Sequence, residues 1–232
     1  MDKRFWGILI VLVLIFGGIF IVANNGKNTP DLTTTNTPTN HTEGQDMDKV
    51  TLIEYGDYQC PYCAEYAPVV SQIASAYAPY ITFQFRNLPL TSLHPNAFAG
   101  ARAAEAASLM GKFWQMHDLL YQGGEQYYAS NETAASWISS TNPLTYFDQF
   151  ASQLGLNVTT FNTDYASTQV NNFINSDVAA FAKTGAQEAT PTFFLNGKQI
   201  QPPDAFSDFQ TDINAAIKTA GFSAPVVSAP TQ

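Results

Sequence analysis

The chain has only two cysteines, and they stand together as Cys60-Pro61-Tyr62-Cys63. Before them runs Val50-Thr51-Leu52-Ile53-Glu54-Tyr55, rich in branched and aromatic side chains, which reads as a buried strand. After them, Ala64 to Ala78 reads as a helix, with Pro61 in its permissive first turn. A strand that hands a Cys-x-x-Cys pair to a helix N-terminus constrains the fold more than any other feature of this chain. It also points to chemistry. The first thiol lies where free N–H groups and the helix macrodipole favour a thiolate. The second lies one turn on, close enough to close a disulfide. The thiolate is the species that attacks disulfides, so the pair reads as a thiol–disulfide redox centre.

Other uses of the spacing fail on the rest of the sequence. Zinc sites want four ligands. There is no third cysteine, and of His41, His94 and His117 the last two are too far apart for the usual finger spacing. Haem attachment needs His directly after the second Cys, and position 64 is Ala. A purely structural disulfide is disfavoured, because so short a loop removes little unfolded-chain entropy. No metal and no dissociable cofactor is needed for the redox reading.

Residues 5–23, from Phe5 to Ala23, carry no charge. An apolar run of about 20 residues can span a bilayer as a helix. Lys3 and Arg4 precede it, which keeps the N-terminus cytoplasmic and sends the remainder outside. The competing reading is a cleaved signal peptide, whose apolar region is about 7–15 residues long and ends at a small-x-small site. Ile21-Val22-Ala23 resembles such a site only weakly, and the length favours an uncleaved anchor over 1–23. Either way the following domain is extracytoplasmic, where disulfides persist. Residues 24–46 are Asn/Thr-rich, contain Pro30 and Pro38, and read as a flexible tether. A formal net charge of −9 argues against nucleic acid or an anionic membrane face as partner.

Beyond the redox helix, Ile81 to Arg86 alternates with period two and reads as a second strand. A long helical stretch follows. Pro95 to Met110 is Ala-rich, Lys112 to Tyr121 carries aromatic and aliphatic residues, and Asn142-Pro143 looks like a cap and first-turn proline for a helix to Gln153. Two more helices are expected at about 160–167 and 168–184, the latter closed by Gly185. Thr192 to Leu195, Asn196-Gly197 and Lys198 to Gln201 make a hairpin. Phe206, Phe209, Ile213 and Ile217 recur at helical spacing in a last helix.

Two stretches, Glu54-Tyr-Gly-Asp-Tyr-Gln-Cys-Pro-Tyr-Cys63 and Ala189-Thr-Pro-Thr-Phe-Phe-Leu-Asn-Gly197, together resemble the thioredoxin superfamily. Within it they resemble the DsbA-like disulfide oxidoreductases that carry a helical insertion, over about 47–220. Glutaredoxins share Cys-Pro-Tyr-Cys but lack so large an insert. The resemblance implies an α/β, thioredoxin-like fold with an inserted helical subdomain at about 95–184. One N-terminal transmembrane helix would precede it. The domain would run from 47 to 221 and a loose tail from 222 to 232.

The resemblance also assigns roles. Cys60 would attack, Cys63 would resolve, and Pro191 would be a cis-proline facing them. Thr190 would present backbone polar groups to an extended substrate, as in strand addition. Glu54 would be the buried acid beneath the disulfide, able to relay a proton to or from Cys63. Asp57 reads instead as a turn or cap residue, and His94 and His117 as ordinary polar residues. The implied activity is dithiol oxidation of exported protein thiols, with reoxidation by a membrane quinone-linked partner of the DsbB or VKOR type. A reductase or isomerase of the same fold is the alternative, and a tethered chaperone or binding module is a third reading.

Overall fold

The structure, a computed structural model, describes residues 37–44, 50–202 and 206–226. The expected anchor over 1–23 and most of the tether lie outside these residues. Among the described residues no helix is long and apolar enough to cross a membrane.

Five strands form one sheet: β1 (His41–Gly44), β2 (Thr51–Gly56), β3 (Thr82–Asn87), β4 (Thr192–Leu195) and β5 (Lys198–Ile200), in the order β1-β3-β2-β4-β5. β2 and β3 are parallel, and the other pairings are antiparallel. The helix α1 (Pro61–Tyr77) makes the crossover between the two parallel strands. β3 does not show the half-exposed alternation its sequence suggests. Five of its six residues are buried, because helices cover both faces of the sheet. On one face Leu52, Phe83, Phe193 and Leu195 pack with Val70 and Ile73 of α1 and with α7 (Phe206–Thr219). On the other, Tyr55 and Phe194 meet Phe181.

The insert supplies α2 (Ala97–Ser108), α3 (Phe113–Ala129), α4 (Leu144–Gln153), α5 (Val158–Tyr165) and α6 (Thr168–Thr184). These helices run from residue 97 to 184, and their boundaries follow local capping. Asn157 Oδ1 accepts from Thr160 N at 2.9 Å, which starts α5 two residues before the expected 160. Ser167 caps α6 in the same way, and Gly185 ends it in the left-handed region with φ 72°. Asn142 caps nothing with its side chain: Pro143 stands at the N-cap of α4. α3 runs two turns past Tyr121, straight through Gly123-Gly124. Close packing explains those glycines. A Cβ at Gly123 would lie 3.1 Å from Trp137 Nε1, and one at Gly124 would lie 3.4 Å from Ala64 Cβ on the redox helix.

Two stretches read as loose are in part held. The tether was expected to reach residue 46, yet His41–Gly44 pair with β3. Thr39 N and Oγ1 both donate to the fully buried Asp177 of α6, each at 2.7 Å. His41 stacks on Phe113 at 3.5 Å between ring centroids, and its Nε2 lies 2.8 Å from Glu105 of α2. Asn87 Nδ2 donates to both carboxylates and joins them into one buried network. Polar composition suits such a segment because its partners are buried carboxylates of the insert. At the other end, Phe222 and Ala224 of the expected tail pack on the α7 cluster.

Candidate active site

Cys60 takes the N-cap position of α1, with extended φ −73° and ψ 126°, and Pro61 fills N1. Both cysteines are free thiols, buried to 3% and 0% exposure. As a thiol, Cys60 donates to the Thr190 carbonyl at 3.4 Å. The Thr190–Pro191 peptide bond is cis and opens directly into β4. The structure thus brings together Cys60, Cys63, Thr190 and Pro191 from segments about 130 residues apart in sequence.

Environment separates the two thiols. The Cys60 pKa falls from 9.0 to about 6. The Cys63 S–H, donating to the Cys60 thiolate, is the largest cause. The backbone N–H groups of Cys63 and Tyr62 add to it, against burial. Those N–H groups belong to the first turn of α1, where they have no helical acceptor. Cys63 moves the other way. Burial pushes it well above its usual value, and hydrogen bonding to Cys60 and the charges of Cys60 and Glu54 act in the same direction. Asp57 N donates weakly to its sulfur at 3.5 Å. One cysteine is a thiolate at neutral pH and the other is not.

Glu54 lies inside β2, two residues before its end, rather than at the strand end. Its register partners are Phe85 on β3 and Phe193 on β4, so the carboxyl sits in an apolar row of the central sheet. It is 2% exposed, and Oε1 has no hydrogen-bond partner. Burial, with a contribution from the Cys60 charge, raises its pKa from 4.5 to about 8. At neutral pH it holds its proton. No Lys or Arg sits in that row, which ends on β1 at His41. Arg86, on the neighbouring strand, donates instead to Tyr55 Oη at 2.8 Å and to Gln84 Oε1.

Asp57 does cap the turn as expected, since Oδ1 accepts from Gln59 N at 2.8 Å. It does more through Oδ2, which accepts from Leu90 N and lies 2.7 Å from His94 Nδ1. His94 is therefore not an ordinary polar residue. Its hydrogen bond to Asp57 raises its pKa, and the Cys60 charge adds to the effect. Sequence spacing gave no sign of this pair, because a loop after β3 brings His94 back to the redox turn. His117 is buried, pairs with Tyr58 Oη at 3.0 Å and is held neutral by burial, with its pKa lowered to about 3. The insert also reaches the site through Tyr128, whose hydroxyl donates to the Gln59 carbonyl beside Cys60.

Residues 36–215 match the family model described as thioredoxin. The chain belongs to the thioredoxin family. Over 180 residues it is 32% identical to a protein of Salinispora tropica named Na+/H+ antiporter NhaA 3, covering 78% of this chain and 25% of that protein. It therefore spans about a quarter of the length of the curated relatives it matches. Among solved structures, a thioredoxin-like oxidoreductase from Silicibacter pomeroyi superposes with a TM-score of 0.62 at 24% identity, over 79% of this chain and 95% of that one. α-DsbA1 from Wolbachia pipientis superposes with a TM-score of 0.63 at 18% identity, over 79% and 94% of the two chains. The shared fold is the DsbA-like one, with a helical insert in the thioredoxin frame. In that frame the Cys60–Cys63 pair stands at the junction of β2 and α1.

Proposed function

We propose that this chain is an extracytoplasmic dithiol oxidase that introduces disulfides into exported proteins, tethered to the membrane by residues 1–23. One observation carries the direction. The thiolate of Cys60 is stabilised by its surroundings, and that stabilisation exists only in the dithiol form. Anything that favours the dithiol makes the disulfide a better oxidant.

The chemistry follows from the two environments. A substrate thiolate attacks Sγ of Cys60 in the Cys60–Cys63 disulfide. A substrate–Cys60 bond forms, and the Cys60–Cys63 bond breaks. The electron pair passes to Cys63, which leaves as a thiolate in a site that disfavours charge. Neutral Glu54 supplies the proton that Cys63 takes up. A second substrate thiolate then attacks its own sulfur in the mixed disulfide. Cys60 departs as the stabilised thiolate, the substrate is oxidised by two electrons and the pair is reduced. Reoxidation returns those electrons to a membrane quinone-linked partner of the DsbB or VKOR type. The Thr190 carbonyl beside Cys60 supports the reading of this edge as a place for extended substrate. Ion transport is named for the Salinispora protein as a whole.

The test is a stoichiometric one. Oxidised protein is mixed with a reduced, unfolded polypeptide, and thiols are counted on both. Loss of two substrate thiols per pair reduced supports the oxidase. Intact substrate thiols, together with cleavage of a substrate disulfide by the reduced protein, would assign it to reduction instead.

A further inference from the structure

A cavity of about 340 Å³ reaches Glu54 along the flank of α1. Its inner lining includes Glu54, Tyr121 and His117, all buried. Its outer lining includes Glu43 on β1 and Asp118 on α3, both exposed, with Glu125 between the two levels of burial. Two inner polar atoms, Glu54 Oε1 and Tyr121 Oη, are buried without a hydrogen-bond partner. The cavity is polar-lined and large enough for water, while those two atoms themselves are closed to it.

The lining carboxyl groups face no Lys or Arg, and the imidazole charge that reaches His117, that of His41, lies on Glu105. The stretch of α1 that lines it contributes no charged side chain, and no Lys or Arg is among the lining residues. His117 is neutral. Burial raises the pKa of Glu43, with the Asp118 charge adding to it, and burial likewise raises Asp118 and Glu125. Acids gathered without a counter-cation relieve their repulsion by binding protons. Among the described residues no group of three or more His, Cys, Asp or Glu is placed to hold a metal ion.

We propose that Glu43 and Asp118 form the outer stage of a proton route that runs through this cavity to Glu54 and serves Cys63. The proposal rests on the reading of Glu54 as proton donor to Cys63. When Glu54 gives its proton to the Cys63 thiolate it becomes a carboxylate in an apolar row, and it must be reprotonated before the next turnover. Cys63 has no exposed surface, so the proton does not enter there. The cavity is the path that ends on Glu54. In the reverse direction the same route discharges the proton when the pair is reoxidised. Glu43 and Asp118 touch neither sulfur; they position and pass protons.

The experiment is single-turnover reduction of the oxidised protein by dithiothreitol across pH, for wild type, Glu54→Gln and the double variant Glu43→Gln/Asp118→Asn. The double variant should react about threefold to tenfold more slowly at pH 7, less than the ~10²–10⁴ of a group acting directly as general acid. Its Cys60 alkylation midpoint should not move. Added acetate, small enough to enter the cavity, should restore the rate. A slow double variant that acetate does not rescue has a structural defect, and the route is overturned. A double variant at native rate beside a slow Glu54→Gln overturns the route and leaves the Glu54 reading intact. Native rates in both variants remove the two together.

Discussion

The S–H of Cys63 is the largest single cause of the low Cys60 pKa, so deleting that donor gives a sharp test of how the nucleophile is made. A hydrogen bond to a charged group contributes about 1.5–3 kcal/mol. One pKa unit corresponds to about 1.36 kcal/mol, so its loss lifts the midpoint by about 1–2 units. In Cys63→Ala, Cys60 should titrate near 7–8 rather than at about 6. At pH 7 its thiolate fraction should fall from about nine-tenths to between one-half and one-tenth. Alkylation should slow by somewhat less, because a more basic thiolate is the stronger nucleophile. Cys63→Ser retains an O–H donor at the same position and should keep the midpoint near 6 or below. The assay is alkylation rate against pH on the two reduced variants, with the thiolate's ultraviolet absorbance as a second readout. Equal midpoints in the Ala and Ser variants would refute the reasoning. They would leave the helix N-terminus, not the second cysteine, as the source of the acidity.

Two further outcomes follow from the buried acid and the histidine. Glu54 has a folded pKa raised above its unfolded 4.5, so the stability it contributes is complete below 4.5 and is lost as pH rises through about 8. Glu54→Gln in the disulfide form should therefore gain up to about 3 kcal/mol at pH 7 by chemical denaturation, and nothing at pH 4, while its thiol exchange slows. His94 is also raised, through Asp57, so its contribution is complete below 6.5 and fades as pH climbs through the raised value. His94→Asn should lose most stability below pH 6.5, and its Cys60 midpoint should rise, as thiolate titration will show. An effect of His94→Asn that is independent of pH would mean that the Asp57 pair holds the loop by shape alone.

The parts of this site that were legible in the sequence are local. Cys60 and Cys63 sit in one motif at a strand–helix junction, and Asn196-Gly197 makes its turn with φ 51° and 77° wherever the strands lie. Thr190 and Pro191 could be joined to the cysteines only through a resemblance to a family, because no spacing in the chain connects them. The pairing of Asp57 with His94 and the approach of Tyr128 to Gln59 depend on how a loop and an inserted helix return to the redox turn. Periodicity does not encode such returns. The segment from Thr39 to Gly44 departs from its tether-like composition for a related reason. Its composition is that of a tether, and its polar atoms find their partners far along the chain, on β3 and on the buried Glu105 and Asp177. The capping of α5 by Asn157 was written locally, but Asn-Val-Thr also suits a turn, so the helix start fell two residues out.

The most direct measurement of the oxidase reading is the equilibrium reduction potential of Cys60–Cys63 against glutathione, followed across pH. At pH 7 a thiol lowered from 9.0 to about 6 favours the dithiol form by about 1.4 kcal/mol, which raises the potential by about 30 mV. Above about pH 6 the dithiol carries one proton fewer, so the slope should halve from about 59 to about 30 mV per pH unit. The expected result is that halved slope and a value at pH 7 less negative than about −180 mV, in the range of oxidising members of the fold. A potential near the −270 mV of thioredoxin, with no break in slope near pH 6, would contradict it.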